Sequence, residues 1–292
     1  MSAEPRHLRT LLGDHPSTAV LKKGEVASDR IAFDYVSYTP TNRGFKPMVR
    51  EQAFDVSELA IVTYLMARDH AKPVVLLPAV VMGRFQHNFA LCRADGPRLS
   101  PADLNGRRVG IRSFTTTTGA WVRGFLANDY GVDLDGVHWI TFEDPHVAEY
   151  VDTTEKAPEG KNILQMLADG EIDAVIGESS KDPRFQTLWE DPDAEAMNWY
   201  RRRGIVPVNH FVTVTRDLLQ REPQTVREVY RLLAESRSRA PAPANGLDQF
   251  PFGVEAIRPS LQLIIDYAAQ QGLISQRVSV DEVFAEVLPA LG

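Results

Sequence analysis

The chain is nearly without cysteine: Cys92 stands alone among 292 residues. An internal disulfide and any cysteine-rich zinc or iron–sulfur centre are thereby excluded. It has no run of ~18 consecutive apolar residues, so no membrane-spanning helix is expected. The opening MSAEPRHLRTLLGDHPSTAV carries no apolar stretch of the signal-peptide kind, and a cytoplasmic location is expected. Positive charge is also short. With 32 Lys and Arg against 39 Asp and Glu, the formal net charge of -7 gives neither nucleic acid nor an anionic membrane a bulk attraction. No GxGxxG or Walker pattern is present, so neither a dinucleotide nor a nucleoside triphosphate is expected. His7, His15, His70, His87, His138, His146 and His210 show no HExxH or closely paired spacing, and no metal site is expected.

What remains is an ordinary globular composition, long enough for one large domain or two lobes with cores of their own. Short β-branched and aromatic runs alternate with helical patterns, which predicts an α/β fold with largely parallel sheets. Strands are expected at Leu8 to Leu12, Ile31 to Tyr38, Val74 to Val81, His87 to Cys92, Val109 to Ile111, Val137 to Thr141, Ala174 to Ile176 and Phe211 to Thr215. Helices are expected at Ile61 to Ala71, Thr118 to Asp129, Ile163 to Ala168, Pro223 to Ser238 and Leu261 to Gln270. The acidic segment from Asp144 to Lys161, with Pro145, Pro158 and Gly160, reads as an excursion, and APAPANGLDQFPFG (240–253) as a Pro-rich connector.

Two stretches look like crossings between lobes. CRADGPRLSPADLNGRRVGI (92–111) leaves one set of strands through Gly and Pro and begins another; RRRGIVPVNHFVTVTRDLL (201–219) returns the chain. The expected division is a first lobe of residues 1–93 and 211–292 and a second of 94–210. Such lobes form a cleft, a usual place for a small ligand.

PADLNGRRVGI and ILQMLADGEIDAVI are similar to pieces of type 2 periplasmic-binding-protein folds. FDVSELAIVTYLMA (54–67), WVRGFLANDYGVDLDGVHW (121–139), LADGEIDAVI (167–176) and YRRRGIVPVNHFVTV (200–214) are more specific, and together they resemble the 4,5-dihydroxyphthalate decarboxylase family over roughly residues 8–240. The resemblance implies a two-lobed type 2 periplasmic-binding-protein-like fold with two interlobe crossings. It also implies a carboxy-lyase that removes CO2 non-oxidatively from a hydroxylated aromatic carboxylate, giving a dihydroxybenzoate such as protocatechuate. The sequence departs from the family pattern at Gln86-His87, where an Arg-His pair is expected, and at Thr115 to Thr118, which replace a mixed polar and apolar turn.

Decarboxylation of this kind needs a sink for the electron pair and a proton for the ring carbon. A ring hydroxyl para to the leaving carboxylate supplies the sink, so no cofactor is required. The protein must supply a general acid, donors for the carboxylates and a partner for the hydroxyls. His210, in PVNHF at the return crossing, is the first candidate for the acid. His87, in GRFQHNF, is expected to open a strand beside that of His210. Either histidine can act as acid while the other orients a hydroxyl; the plainer alternatives are a hydrogen-bonded hinge histidine and strand-end packing.

Arg84 is a candidate carboxylate grip, with Arg112 and Arg123 as alternatives in the second lobe; each is as readily a solvated or structural charge. Arg201 to Arg203 read as a solvated run. Ser57 is a natural helix N-cap, and with Glu58 it places hydroxyl and amide donors at a turn. Tyr64 is read as packing. Glu178, in VIGESS, can accept from a ring hydroxyl. Thr115, Thr116, Thr117 and Thr118 lie where a strand gives way to a helix, whose first amides are unpaired and carry partial positive charge. One threonine suffices as a cap, and the others suit a carboxylate cradle.

A small aromatic carboxylate is thus the expected partner, and the chain's size suits a homodimer. The alternative from another class is a cytoplasmic protein that binds a small carboxylate without altering it. Among other enzymes of this fold, thiamine-pyrimidine synthases would carry a cysteine-rich motif that is missing here, and menaquinone-pathway lyases are a more distant alternative.

Overall fold

The computed structural model describes residues 4–243 and 246–292. Eleven strands lie among them: β1 (Arg6–Leu11), β2 (Ile31–Tyr35), β3 (Val56–Ala60), β4 (Val74–Gly83), β5 (Ala90–Arg93), β6 (Arg108–Ile111), β7 (His138–Thr141), β8 (Glu155–Lys156), β9 (Ala174–Ile176), β10 (Phe185–Thr187) and β11 (Val208–Thr215). The chain forms two compact units, Met1–Arg84 with Val208–Gly292, and Phe85–Pro207. The divisions fall earlier than the sequence suggested. Residues 85–93 join the second unit because β5 pairs with β9 and β10, and residues 208–210 join the first because β11 already begins at Val208.

In the first unit the sheet order is β2-β1-β3-β11-β4. The β1–β2 and β1–β3 pairs are parallel, while β11 runs antiparallel to β3 and β4. In the second the order is β10-β5-β9-β6-β7-β8, with β5 antiparallel to β9 and β10 and the β9–β6–β7–β8 pairs parallel. The sheets are therefore mixed, not largely parallel: the strands that follow the changes of unit, β5 and β11, run against their neighbours.

Burial explains the strand most clearly misread from sequence. Val56-Ser57-Glu58-Leu59-Ala60 are all buried, since β3 sits between β1 and β11. Ser57 is therefore a strand residue and not a helix cap; its hydroxyl donates to the Glu58 carbonyl at 2.7 Å and its own carbonyl accepts from the Thr213 hydroxyl at 2.9 Å. The next helix, Ile61–Asp69, starts after Ala60 without a side-chain cap. Tyr64 in that helix is buried, and burial pushes its phenol up to about 12.

Strand β4 carries Pro78, which an outer strand tolerates. Its outer edge is covered from the far end of the Pro-rich connector: Ala79 bridges Phe252, and Gly253 donates to the Pro78 carbonyl at 2.9 Å. Residues 244 and 245 of that connector lie outside the described residues. The helix Val254–Gln270 starts before Pro259, earlier than expected, because Ile257 already contributes to the buried face with Leu261, Ile264, Ile265 and Ala268. Among the described residues no helix is long and apolar enough to cross a membrane.

The second sheet packs both faces, as the period-two alternation of side chains requires. Ala90, Cys92, Val109, Ile111, Ala174 and Ile176 enter one apolar cluster; Leu91, Ile140 and Val175 enter the other. His87 is part of this packing. It begins a short 3-10 turn, His87–Phe89, ahead of β5, and the expected pairing of its strand with that of His210 does not form: β5 and β11 lie in different sheets. The imidazole is fully buried, stacked on Phe125 at 4.9 Å and edge-on to Trp189 at 4.9 Å, and neither ring nitrogen has a hydrogen-bond partner among the described residues.

Burial pushes the His87 ring down from 6.5 to about 4. Between those values the unfolded chain takes up a proton that the folded chain refuses, so stability falls as pH falls through this window, by about 3 kcal/mol in all. His87→Phe is expected to fold with an unchanged or higher thermal midpoint near neutrality and to lose less stability between about pH 6.5 and 4. Denaturant unfolding of both proteins across that range checks this, and a steeper acid loss in the variant would refute it.

Candidate functional site

In the first unit, the central strands bring together a carboxylate and two imidazoles. The β3–β11 register sets Glu58 opposite Val212 and His210 opposite Ala60, so Glu58 and His210 are diagonal neighbours on one face. Glu58 Oε1 lies 2.6 Å from His210 Nδ1, and Glu58 Oε2 lies 2.9 Å from His15 Nε2. The Gly13 amide donates to Oε2 at 2.7 Å. Glu58 is 1% exposed, whereas the side chains of His15 and His210 are 15% and 18% exposed. The carboxylate is thus an interior support, and the imidazoles are the groups that solvent and ligands can reach.

Burial by itself would raise the Glu58 carboxyl. The hydrogen bonds from His15 and His210 outweigh it and hold the group well below the usual carboxylate range. An ionised carboxylate only accepts hydrogen bonds, so His210 carries a hydrogen on Nδ1 and His15 carries one on Nε2. The opposite ring nitrogens, Nε2 of His210 and Nδ1 of His15, are left for chemistry.

Local sequence explains how these rings are set. Gly13 and His15 follow the end of β1. Thr18, fully buried, accepts from the His15 amide at 3.3 Å and donates to the Gly13 carbonyl at 3.2 Å, which fixes the turn. Phe45, on the helix Phe45–Glu51, meets the His210 ring edge-on at 5.2 Å. Arg84 follows β4 and is half-buried, and burial lowers its pKa from the usual guanidinium value.

The second unit carries its polar groups just beyond the carboxyl ends of the parallel strands β6, β7 and β9, a favoured place for ligand groups in such sheets. Arg112 follows β6, Glu143 follows β7 and Glu178 follows β9. Arg112 Nε lies 3.8 Å from Glu143. Half-buried Glu178 has its carboxyl pushed up by burial, with Arg112 pulling it down and Glu143 adding to the rise.

The threonine turn leads into the helix Thr117–Asp129. Thr116 is the cap, its hydroxyl accepting from the Gly119 amide at 3.3 Å. Thr115 is buried, with its hydroxyl 3.1 Å from that of Ser113. Thr117 is buried and Thr118 half-buried in the first helical turn. Arg123 is not a ligand arm: it is fully buried, lies 3.7 Å over the Phe114 ring and donates to the Phe114 carbonyl at 2.7 Å, bracing this turn from within. Gly119 makes the tight approach feasible, since a Cβ there would lie 2.3 Å from Ile111 Cδ1.

Of the residues expected from sequence, Glu58 and His210 meet in the first unit, and Arg112, Glu178 and Thr115 to Thr118 lie at one end of the second sheet. Ser57 is inside a sheet and His87 inside a core. Arg201 to Arg203 are exposed, as expected of a solvated run, and Arg202 and Arg203 there pair with Glu195 and Asp129 at 3.2 and 2.9 Å. No group of three or more His, Cys, Asp or Glu able to hold a metal occurs among the described residues. His15 was not singled out from sequence; the available signal was a glycine followed closely by a histidine at the end of a strand.

Gly13→Ala tests the support. A Cβ at Gly13 would lie 2.7 Å from Glu58 Oε2 and 2.8 Å from His15 Nε2. The expected outcome is a stability loss of about 1–3 kcal/mol by denaturant unfolding, with displacement of the carboxylate in a crystal structure of the variant.

No family model matches the chain. A 4,5-dihydroxyphthalate decarboxylase of Comamonas testosteroni is 31% identical over 232 residues, covering 74% of this chain and 70% of that protein. One of Pseudomonas putida is 29% identical over 211 residues, covering 67% and 81%. Among solved structures, the alkanesulfonate-binding protein SsuA of Xanthomonas axonopodis pv. citri bound to MOPS superimposes with a TM-score of 0.58 at 16% identity, covering 96% of this chain and 98% of that one. That likeness gives the fold, a type 2 periplasmic-binding-protein-like architecture. The extent and identity of the Comamonas match give the family: the chain belongs to the 4,5-dihydroxyphthalate decarboxylases.

Proposed function

We propose that this protein is a carboxy-lyase that decarboxylates a hydroxylated aromatic carboxylate without oxidation, with 4,5-dihydroxyphthalate as the first substrate to test. The observation that carries the residue assignment is the 2.6 Å contact between His210 Nδ1 and the buried Glu58. As an imidazolium, His210 keeps the Nδ1 hydrogen on Glu58 and gives the Nε2 proton to the ring carbon that bears the leaving carboxylate. The carboxylate of Glu58 accepts that Nδ1 hydrogen and holds the ring's orientation throughout. The C–CO2 bond then breaks, its electron pair returns to the ring, and the hydroxyl para to it has served as the sink.

Arg84 is proposed to grip a carboxylate in the first unit. In the second unit, taken by itself, Arg112 and Thr115 to Thr118 are proposed to bind a carboxylate and Glu178 to accept from a hydroxyl. His87 is assigned a packing role, because a buried imidazole without a hydrogen-bond partner has no route to a substrate. A cytoplasmic setting and a homodimer belong to the same proposal, to be read by cell fractionation and light scattering.

Unaltered carboxylate binding is the less favoured reading, since membership of a decarboxylase family and a supported imidazole both speak for turnover. Purified protein is expected to release CO2 from 4,5-dihydroxyphthalate. His210→Gln should lower kcat by roughly 10²- to 10⁴-fold with KM little changed. Recovery of every member of a hydroxylated benzoate and phthalate panel unchanged, from protein shown to be folded, would instead support the binding reading.

A further inference from the structure

We infer that His15 is a second working residue of the reaction, the base that takes and returns the proton of the ring hydroxyl. The inference rests on the decarboxylase reading above and deepens it. Glu58 has two oxygens, and each holds one imidazole: Oε1 at 2.6 Å from His210 Nδ1, Oε2 at 2.9 Å from His15 Nε2. The two rings are therefore attached through different nitrogens. A neutral His15 carrying its hydrogen on Nε2 presents a bare Nδ1, which is an acceptor; a charged His210 presents an Nε2–H, which is a donor. One buried anion thus fixes which nitrogen of each ring is left to meet a ligand, where two unattached histidines would have no fixed tautomer.

Support of Glu58 calls only for a donor, which an amide would supply as well as the imidazole of His15. Its ring is 15% exposed, so it is not needed to fill a core. The turn that carries it is already fixed by Thr18, whose hydroxyl bonds the His15 amide and the Gly13 carbonyl. The mostly buried ring is directed onto Glu58, a carboxylate that is itself 1% exposed.

The reaction then balances as follows. His210 transfers its Nε2 proton to the ring carbon bearing the carboxylate while the para hydroxyl gives its proton to His15 Nδ1; the oxygen's electron pair forms a carbonyl and the ring becomes a dienone. The bond to the carboxylate breaks, CO2 leaves, and the electron pair restores the aromatic ring and a phenolate oxygen. His15 returns its proton to that oxygen. One proton, taken by His210 from water before the next turnover, is consumed per CO2 released.

The test uses His15→Gln, whose amide can still donate to Glu58 but has no basic nitrogen, with His15→Asn as a second variant should the first lose its fold by circular dichroism. The expected result is a fall in kcat of roughly 100-fold, with KM raised by no more than about tenfold, the share that the lost hydroxyl contact contributes to binding. Calorimetric binding supplies a readout that a purely supporting role would not move. Wild-type protein is expected to prefer 3,4-dihydroxybenzoate over benzoate, and the variant to lose about tenfold of that preference. A variant within about threefold of wild-type kcat, or one that is slow yet keeps the full hydroxyl preference, overturns the inference while leaving the decarboxylase reading in place. Failure of the wild-type protein to release CO2 from any hydroxylated phthalate overturns that reading, and the hydroxyl preference then decides separately whether His15 meets a ring hydroxyl.

Discussion

An ionised carboxylate removed from water costs several kcal/mol unless hydrogen bonds replace its hydration. Glu58 meets that condition with one amide and two imidazoles, and the requirement organises the first unit around it. Gly13 has to lack a side chain so that its amide reaches Oε2. β11 has to lie beside β3 in one register, because a slip of a single residue would turn His210 to the opposite face. Phe45 and Thr18, neither of them polar chemistry for a substrate, are constrained by the same need, one against the His210 ring and the other in the turn that carries His15. Removal of any one donor would leave charge in the interior that water cannot reach.

The second unit solves a different problem. Its polar residues sit where three parallel strands end, and Arg112 there pairs with Glu143 at 3.8 Å. Arg123 shows how the chain supports that end from below: a fully buried guanidinium is aimed at the Phe114 carbonyl, with the Phe114 ring laid against its face. Burial brings this arginine down to about 9, far enough from neutrality that it stays cationic. The threonine turn is therefore a braced element, not a loose loop. The hydroxyls divide their work within it, Thr116 on the helix amides and Thr115 on Ser113.

Much of this was legible in the sequence. Strands such as Ala174–Ile176 and the helices Ile163–Ala168 and Pro223–Ser238 have the boundaries their periodicity indicates. The helix Pro192–Arg203 was also written there, with Asp191 as N-cap, Pro192 in the first turn and Gly204 in the left-handed conformation at its end, yet its charged surface hides the weak apolar face. β3 was hard to read because Val-Ser-Glu-Leu-Ala looks like a capped helix start; only its neighbours β1 and β11 make it a strand, and they lie far away in sequence. His210 was singled out because it stands at a crossing, and the strand expected to open at His87 was misplaced for the same reason. His15 could not be paired with Glu58 from sequence at all, since a turn and a sheet register together decide their distance.

The Glu58–His210 bond joins residues 152 positions apart, and the second unit, Phe85–Pro207, lies wholly within the intervening chain. A ribosome that has released only the first two hundred residues has made every residue of the second unit's sheet but not the strand that completes the first. Until β11 arrives, Glu58 lacks one of its imidazoles, and its strand faces an unfilled place in the sheet. During synthesis, then, the second unit has the opportunity to fold first, and the compact inserted unit shortens the flexible distance over which the final strand must close. The last strand of the first sheet is thus also the step at which a nascent chain completes the hydrogen bonding of Glu58.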